Sequence, residues 1–106
     1  MEAPDLFVGE CNSTSIIFEV EVPEGVTYKN IEIQQMLKRS ADEFQTVDIS
    51  ENHVIFIGNL VPNTEYYFRI RSKINDRTTS AWSEEVLVRT IKSHPFSMLL
   101  SNPLQL

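Results

Sequence analysis

Apolar and polar residues alternate along several short segments of the chain, which is the pattern of half-buried β-strands. Every second residue from Ile16 to Val22 is apolar, and two glutamates lie on the opposite face. The segment Tyr66–Ile74 alternates in the same way. Its predicted inward face holds Tyr66, Phe68, Ile70 and Ile74, and its outward face holds Tyr67, Arg69, Arg71 and Lys73. Both segments are therefore predicted to be strands with one face on a core.

The segment Ile31–Lys38 begins with the same alternation, although Gln, Met, Leu and Lys in its second half are good helix formers. Its β-branched residues favour a strand with Ile31, Ile33 and Leu37 pointing inward. Further strands are predicted at Glu43–Ile49, His53–Gly58 and Glu85–Thr90. About seven short strands with turn signals at near-regular spacing predict an all-β chain folded as an antiparallel β-sandwich.

The segment Leu60–Arg71 resembles the corner and the following strand of the fibronectin type III family. Weaker matches to that family are Pro4 with Leu6, Thr14-Ser15-Ile16 and Ala81–Val86. The resemblance covers residues 3–91 and implies a seven-stranded antiparallel immunoglobulin-like β-sandwich. It also implies that Leu60 fills the bottom of the core, that Pro62 preorganises the crossing between sheets, and that the Tyr66 hydroxyl bonds to backbone upstream.

One position departs from the family pattern. The second strand usually carries a core tryptophan, and Val20 stands at that place in this sequence. Because protein cores are close-packed, the missing volume must be filled by other side chains, or the two sheets must lie closer together. The candidates to fill it are Phe18, Phe44 and Phe68.

The only tryptophan, Trp82, precedes the last predicted strand. The segment Thr79–Ser83 is similar to half of the Trp-Ser-x-Trp-Ser box of cytokine-receptor modules, in which outer-face arginines interleave with the box tryptophans. Arg69 and Arg71 share one strand face, so the resemblance implies that Trp82 stacks on a guanidinium group as a structural contact. Trp82 is therefore assigned a structural role.

The charge of the chain limits the classes of partner. Its 106 residues carry 15 acids and nine Lys or Arg, for a net charge of −6. This sign opposes binding to nucleic acid or to an anionic membrane surface. No apolar run approaches the about 18 residues of a membrane span, so direct membrane insertion is not expected.

No recognised catalytic motif occurs in the sequence, and neither histidine has a companion at metal-ligand spacing. We therefore expect a non-enzyme that has no cofactor and no metal. The predicted function is a protein–protein interaction module whose partner the sequence does not identify. Its candidate contact residues are Tyr67, Arg69, Arg71 and Arg77, since aromatic and arginine side chains are the usual interface anchors. The alternatives are a structural spacer in a multidomain chain and an extracellular receptor or adhesion fragment.

Two further features leave alternatives open. The apolar segment 92–106 is either a connector, a strip packed on an exposed sheet face, or a short partner-binding motif. The start of the chain shows no secretory leader, and a single cysteine allows no intrachain disulfide, which favours an intracellular protein. The sequon at Asn12 keeps an extracellular fragment open. The oligomeric state is not predicted.

Overall fold

A computed structural model describes residues 2–39 and 43–93. Seven strands form two antiparallel sheets, which confirms the predicted fold class. The strands are β1 (Asp5–Cys11), β2 (Ile16–Glu21), β3 (Asn30–Leu37), β4 (Gln45–Ser50), β5 (Val54–Ile57), β6 (Glu65–Lys73) and β7 (Val86–Arg89). The three-stranded sheet has the order β1-β2-β5 and the four-stranded sheet the order β4-β3-β6-β7. Within the described ranges, no helix is long and apolar enough to span a membrane.

The two sheets enclose one hydrophobic core, to which every strand except β4 contributes. Strand β6 follows the predicted alternation, since Tyr66, Phe68 and Ile70 are buried while the residues between them are half-buried. Strand β2 likewise buries Ile16, Phe18 and Val20, with Ile17 half-buried and Glu19 exposed between them. The complete core consists of Leu6, Ile16, Phe18, Val20, Ile31, Ile33, Ile55, Ile57, Leu60, Tyr66, Phe68, Ile70 and Val88.

The centre of the core is an aromatic pair rather than a tryptophan. Phe18 and Phe68 are fully buried, with ring centroids 4.7 Å apart in an edge-on arrangement, a favourable geometry for aromatic rings. Val20 is buried beside them in the same core cluster. Phe44 was the third candidate to fill the volume of the missing tryptophan, and this prediction is wrong. Phe44 is half-buried and lies outside the core, against the guanidinium of Arg69.

Strand β3 pairs along its whole length with β6, which confirms the strand over the helix. Ile31 and Ile33 are fully buried as predicted. Leu37 lies opposite the buried Tyr66 and so on the predicted inner face, but it is 37% exposed rather than buried. Leu37 is the last residue of β3, where the edge of the core has already been reached. Ile74 is only half-buried for a similar reason, since it follows the end of β6.

The three hypotheses on the segment 92–106 concern residues that lie almost entirely outside the described part of the chain. Lys92 and Ser93 are described, and both are exposed. Just before them, the Ile91 backbone N–H donates to the Asn12 carbonyl at 3.1 Å. This bond places the end of the described chain beside the β1–β2 turn.

Candidate functional site

The candidate site lies on the outer face of the four-stranded sheet. Strand β6 runs between β3 and β7 and buries every second side chain in the core. The residues in between must point away from the core, because successive side chains of a strand alternate between its faces. Tyr67, Arg69 and Arg71 therefore lie in one row along the centre of this outer face, as predicted.

Arg69 is held between two aromatic rings. Its guanidinium carbon lies 4.1 Å from the ring centroid of Phe44 and 4.2 Å from that of Trp82. In addition, Nε and Nη2 of Arg69 both donate to Oε1 of Gln34, at 3.0 and 2.7 Å. The planar guanidinium thus has ring contacts and two hydrogen bonds in one fixed orientation.

Arg71 completes the stack. Its guanidinium carbon lies 4.3 Å from the centroid of Trp82, and its Nε donates to Oε1 of Glu32 at 2.8 Å. The predicted stacking of Trp82 on arginine is therefore confirmed, and it involves both arginines rather than one. We call the set Phe44, Arg69, Trp82 and Arg71 the Arg–Trp ladder.

Trp82 reaches the ladder because two serines attach its loop to the edge of β6. The Ser80 N–H donates to the Ser72 carbonyl, and the Ser72 N–H returns a bond to Ser80 Oγ, both at 2.9 Å. Ser83 makes the same pair of bonds with Ile70, at 2.8 and 3.0 Å. Each serine thus satisfies a β6 N–H with its side chain, and the indole between them is directed over the outer face.

Glu32 is a charged residue buried on the sheet, beneath Arg71. Burial by itself acts to raise the pKa of the Glu32 carboxyl. Hydrogen bonds from Thr46 and Arg71, together with the charges of Arg71 and Lys73, outweigh burial and bring the pKa below its ordinary value. Glu32 is therefore ionised at neutral pH and forms a partly buried ion pair with Arg71.

Sequence reasoning missed Glu32, Gln34 and Thr46 as parts of the site. The signal available was the alternation of β3, in which Glu32 falls between the buried Ile31 and Ile33, and Gln34 is the next residue on the same face. Their partners are set by the register: Glu32 is opposite Arg71 and Gln34 opposite Arg69. That register depends on pairing between segments far apart in sequence, which the sequence pattern does not specify.

Tyr67 lies next to the ladder in an apolar row. Its cross-strand neighbours are Met36 on β3 and Leu87 on β7. Tyr67 and Met36 are half-buried, and Leu87 is exposed. The outer face thus combines an apolar row with the charged ladder.

Arg77 is not part of this arrangement. It is exposed in the turn after β6, where Asn75 Oδ1 accepts hydrogen bonds from the backbone N–H groups of Arg77 and Thr78, at 2.8 and 3.0 Å. The Arg77 side chain makes no contact with the ladder among the described residues. The structure therefore brings together Tyr67, Arg69 and Arg71 and leaves Arg77 apart.

The residues predicted to be structural lie at the crossing between the sheets. Leu60 is buried in the core, and Pro62 is half-buried in the turn that follows. The hydroxyl of the buried Tyr66 accepts a hydrogen bond from the Val61 N–H at 2.9 Å. Thr90, also buried, donates to the Val61 carbonyl at 2.6 Å, so that the crossing is bonded from both β6 and the end of β7.

Among the described residues, no three His, Cys, Asp or Glu side chains lie close enough together to hold a metal ion. His53 is hydrogen-bonded to the Tyr28 hydroxyl. Cys11 is half-buried, and its Sγ contacts the Asn12 and Arg89 carbonyls. His94 lies outside the described ranges.

Solved structures share this architecture over most of the chain. The fibronectin type-III domain of human fibronectin type III domain containing protein 3 is 19% identical, covers 86% of this chain and 84% of its own, and has a TM-score of 0.72. The chain has the fibronectin type III fold. A titin fragment of domains A168–A170 is 19% identical over 86% of this chain and 32% of the titin chain, with a TM-score of 0.74. A computationally redesigned β-sandwich protein is 21% identical over 89% of this chain and 94% of its own, with a TM-score of 0.72.

No protein-family model and no curated protein sequence matches the chain. The fibronectin type III fold is therefore recognised from its three-dimensional arrangement, consistent with the resemblance of Leu60–Arg71. Domains of this fold are commonly interaction or spacer modules of multidomain proteins, and they are generally non-catalytic.

Proposed function

We propose that this chain is a non-catalytic protein–protein interaction module that presents the outer face of its four-stranded sheet to a protein partner. The contact residues are Tyr67, Arg69 and Arg71, with Trp82 as the support that positions both arginines. Arg77 extends the surface only if the partner also reaches the turn after β6. The module comprises residues 3–91, and residues 92–106 form a tail or linker outside it.

The observation that carries the proposal is the fixed state of the two arginines. Free arginine side chains lose rotamer freedom when a partner orders them, and this loss weakens binding. In the unbound chain the guanidinium groups of Arg69 and Arg71 already stack on Trp82, and we expect this contact to reduce that loss. Within the described residues, the Arg71 guanidinium donates only through Nε, to Glu32. Its two Nη groups therefore remain available to carboxylate or carbonyl acceptors of a partner.

The experiment changes the face without disturbing the ladder. Leu87→Glu places a charge in the exposed apolar row beside Tyr67, and Tyr67→Ser removes its aromatic contact area. Glu24→Lys, in the exposed β2–β3 turn, is the control. Affinity capture from the source cell followed by quantitative mass spectrometry should recover proteins that both variants lose and the control retains. If every captured protein binds all variants equally, the outer face is not the contact surface.

A structural spacer is the second candidate function, since the titin fragment with this fold comprises several domains in one chain. A spacer has no required surface contact. In that case face variants of the full-length parent protein would keep its function, while deletion of residues 3–91 would abolish it.

A further inference from the structure

We infer that the opposite face of the sandwich, on the three-stranded sheet, binds a basic amphipathic segment of a second protein partner. The apolar residues of this face are Phe7, Ile17, Val54 and Phe56, and Glu10 and Glu19 lie among them. We call this set the acidic–apolar face. It is separate from the Arg–Trp ladder, and the inference does not depend on a role for the ladder.

The strand register places these residues in two adjacent rows. Phe7 is opposite Glu19, which is opposite Val54; in the next row Glu10 is opposite Ile17, which is opposite Phe56. Residues directly opposite in an antiparallel pair share a face of the sheet. Since Phe18 and Ile55 point into the core, both rows face away from it.

The apolar side chains of this face are largely exposed. Phe56 is 63% exposed, Val54 59% and Phe7 51%. Single exposed apolar residues are ordinary on protein surfaces, whereas contiguous ones mark interaction sites. Together with the half-buried Ile17, they give each of the three strands at least one apolar residue on this face.

A β-bulge brings the acid of the second row into place. The register of β1 shifts between Val8 and Glu10, so that Glu10 pairs with Ile17. Glycine occupies the bulge at position 9, where a Cβ would lie 2.9 Å from Oε2 of Glu19. Without Gly9 as the extra residue of the bulge, strict alternation would place Glu10 on the inner face of the sheet, together with Leu6 and Val8.

Among the residues that the structure describes, no cation forms a salt bridge with the acids of this face. Strands β1, β2 and β5 contain no Lys or Arg, and a further acid pair, Asp5 opposite Glu21, continues the surface. The salt bridges within the described residues involve Asp76, Glu65 and Glu32, and none involves an acid of this face. An apolar surface with unpaired carboxylates is complementary to Lys or Arg interspersed with apolar residues. The same charge opposes an anionic membrane as the occupant.

A groove beside Phe56 is a second, independent indication that the bound segment carries hydrogen-bond donors. Its volume is about 340 Å³, and it lies between β4 and β5, lined by Gln35, Val47 and Phe56 among others. Oε1 of Gln35 is buried and has no hydrogen-bond partner among the described residues. Buried carbonyl oxygens are normally hydrogen-bonded, and a backbone N–H or a lysine ammonium of a bound segment would satisfy this one.

The test uses the 106-residue chain, labelled with ¹⁵N, and synthetic peptides as probes. The probe alternates Lys with Leu, and two control peptides replace its Lys by Glu or its Leu by Ser. We expect the Lys–Leu peptide alone to shift the amide resonances of β1, β2 and β5. Glu19→Lys should weaken binding by more than about tenfold, whereas Glu24→Lys, which changes net charge equally, should leave it unchanged. Leu87→Glu should also leave it unchanged, which separates this result from any failure of the ladder face.

Four results would overturn the inference. The first is no shift with the Lys–Leu peptide, and the second is equal loss of binding in Glu19→Lys and Glu24→Lys, which indicates attraction to net charge alone. The third is a set of nuclear Overhauser contacts from Phe56 to residues 94–106 in the free chain. The fourth is a shift of the face resonances with protein concentration, which would make a second copy the occupant.

Discussion

Tyr66→Phe is the substitution that isolates one hydrogen bond of the crossing between the sheets. The ring of Tyr66 is buried in the core, and its hydroxyl accepts from the Val61 N–H at 2.9 Å. Phenylalanine keeps the ring and removes the acceptor, so the Val61 N–H loses its partner. An unsatisfied buried donor costs about 1–3 kcal/mol, and because this site is only part-buried we expect about 1–2 kcal/mol. For a domain of this size, that lowers Tm by about 4–8 °C per kcal/mol.

The matched control is Tyr67→Phe, one residue along the same strand. Tyr67 points to the outer face and is half-buried, and its hydroxyl makes no hydrogen bond within the described residues. Its loss should change stability by less than about 0.5 kcal/mol. Urea unfolding of both variants should show a lower midpoint for Tyr66→Phe alone, with an unchanged m-value. Equal midpoints for the two variants would refute the role assigned to the hydroxyl.

Substitutions at three further positions test the core and the ladder by urea unfolding. The pKa of Glu32 is lower in the folded chain than its ordinary value of 4.5. Its ionised form therefore stabilises the fold above pH 4.5, and this contribution is lost as the pH falls through the folded pKa. Glu32→Gln should abolish this acid-sensitive contribution to stability, and an unchanged pH profile would contradict the ion pair. Trp82→Ala should cost about 1–2 kcal/mol by removing two cation–π contacts, with Trp82→Phe in between; a neutral Trp82→Ala would mean that the stack contributes nothing. Val20→Trp should cost about 1–3 kcal/mol because Phe18 and Phe68 already fill the core, and a stabilised variant would reveal unfilled space.

The sequence predicts the faces of the strands better than their ends. In β6 and β2 strict alternation identifies the buried residues, since only one face of each strand meets the core. Leu37 shows the limit: its position in the alternation is inward, but it lies where β3 ends and the core no longer covers it. Phe44 shows a related limit. Because it precedes β4 and lies outside a regular alternation, the sequence pattern does not predict whether its ring packs in the core or on the outer face.

The candidate site was predictable only along one strand. Arg69 and Arg71 share a face because they are two residues apart, and Trp82 was placed on them by the resemblance of its loop to half of a known box. The partners Glu32 and Gln34 come from another strand, through a register set by the whole sheet. Arg77 shares its basic segment of sequence with the other arginines, but the turn after β6 places it apart from the ladder.

The most direct test of the central claim, that both arginines are ordered by Trp82 before any partner binds, is the chemical shift of their side-chain protons. Protons held over an aromatic ring are shifted upfield by its ring current. The geometry, with both guanidinium carbons within 4.3 Å of the indole centroid, predicts upfield shifts for Arg69 and Arg71 in the free chain and their loss in Trp82→Ala. Random-coil shifts for both arginines in the free wild-type chain would contradict the claim.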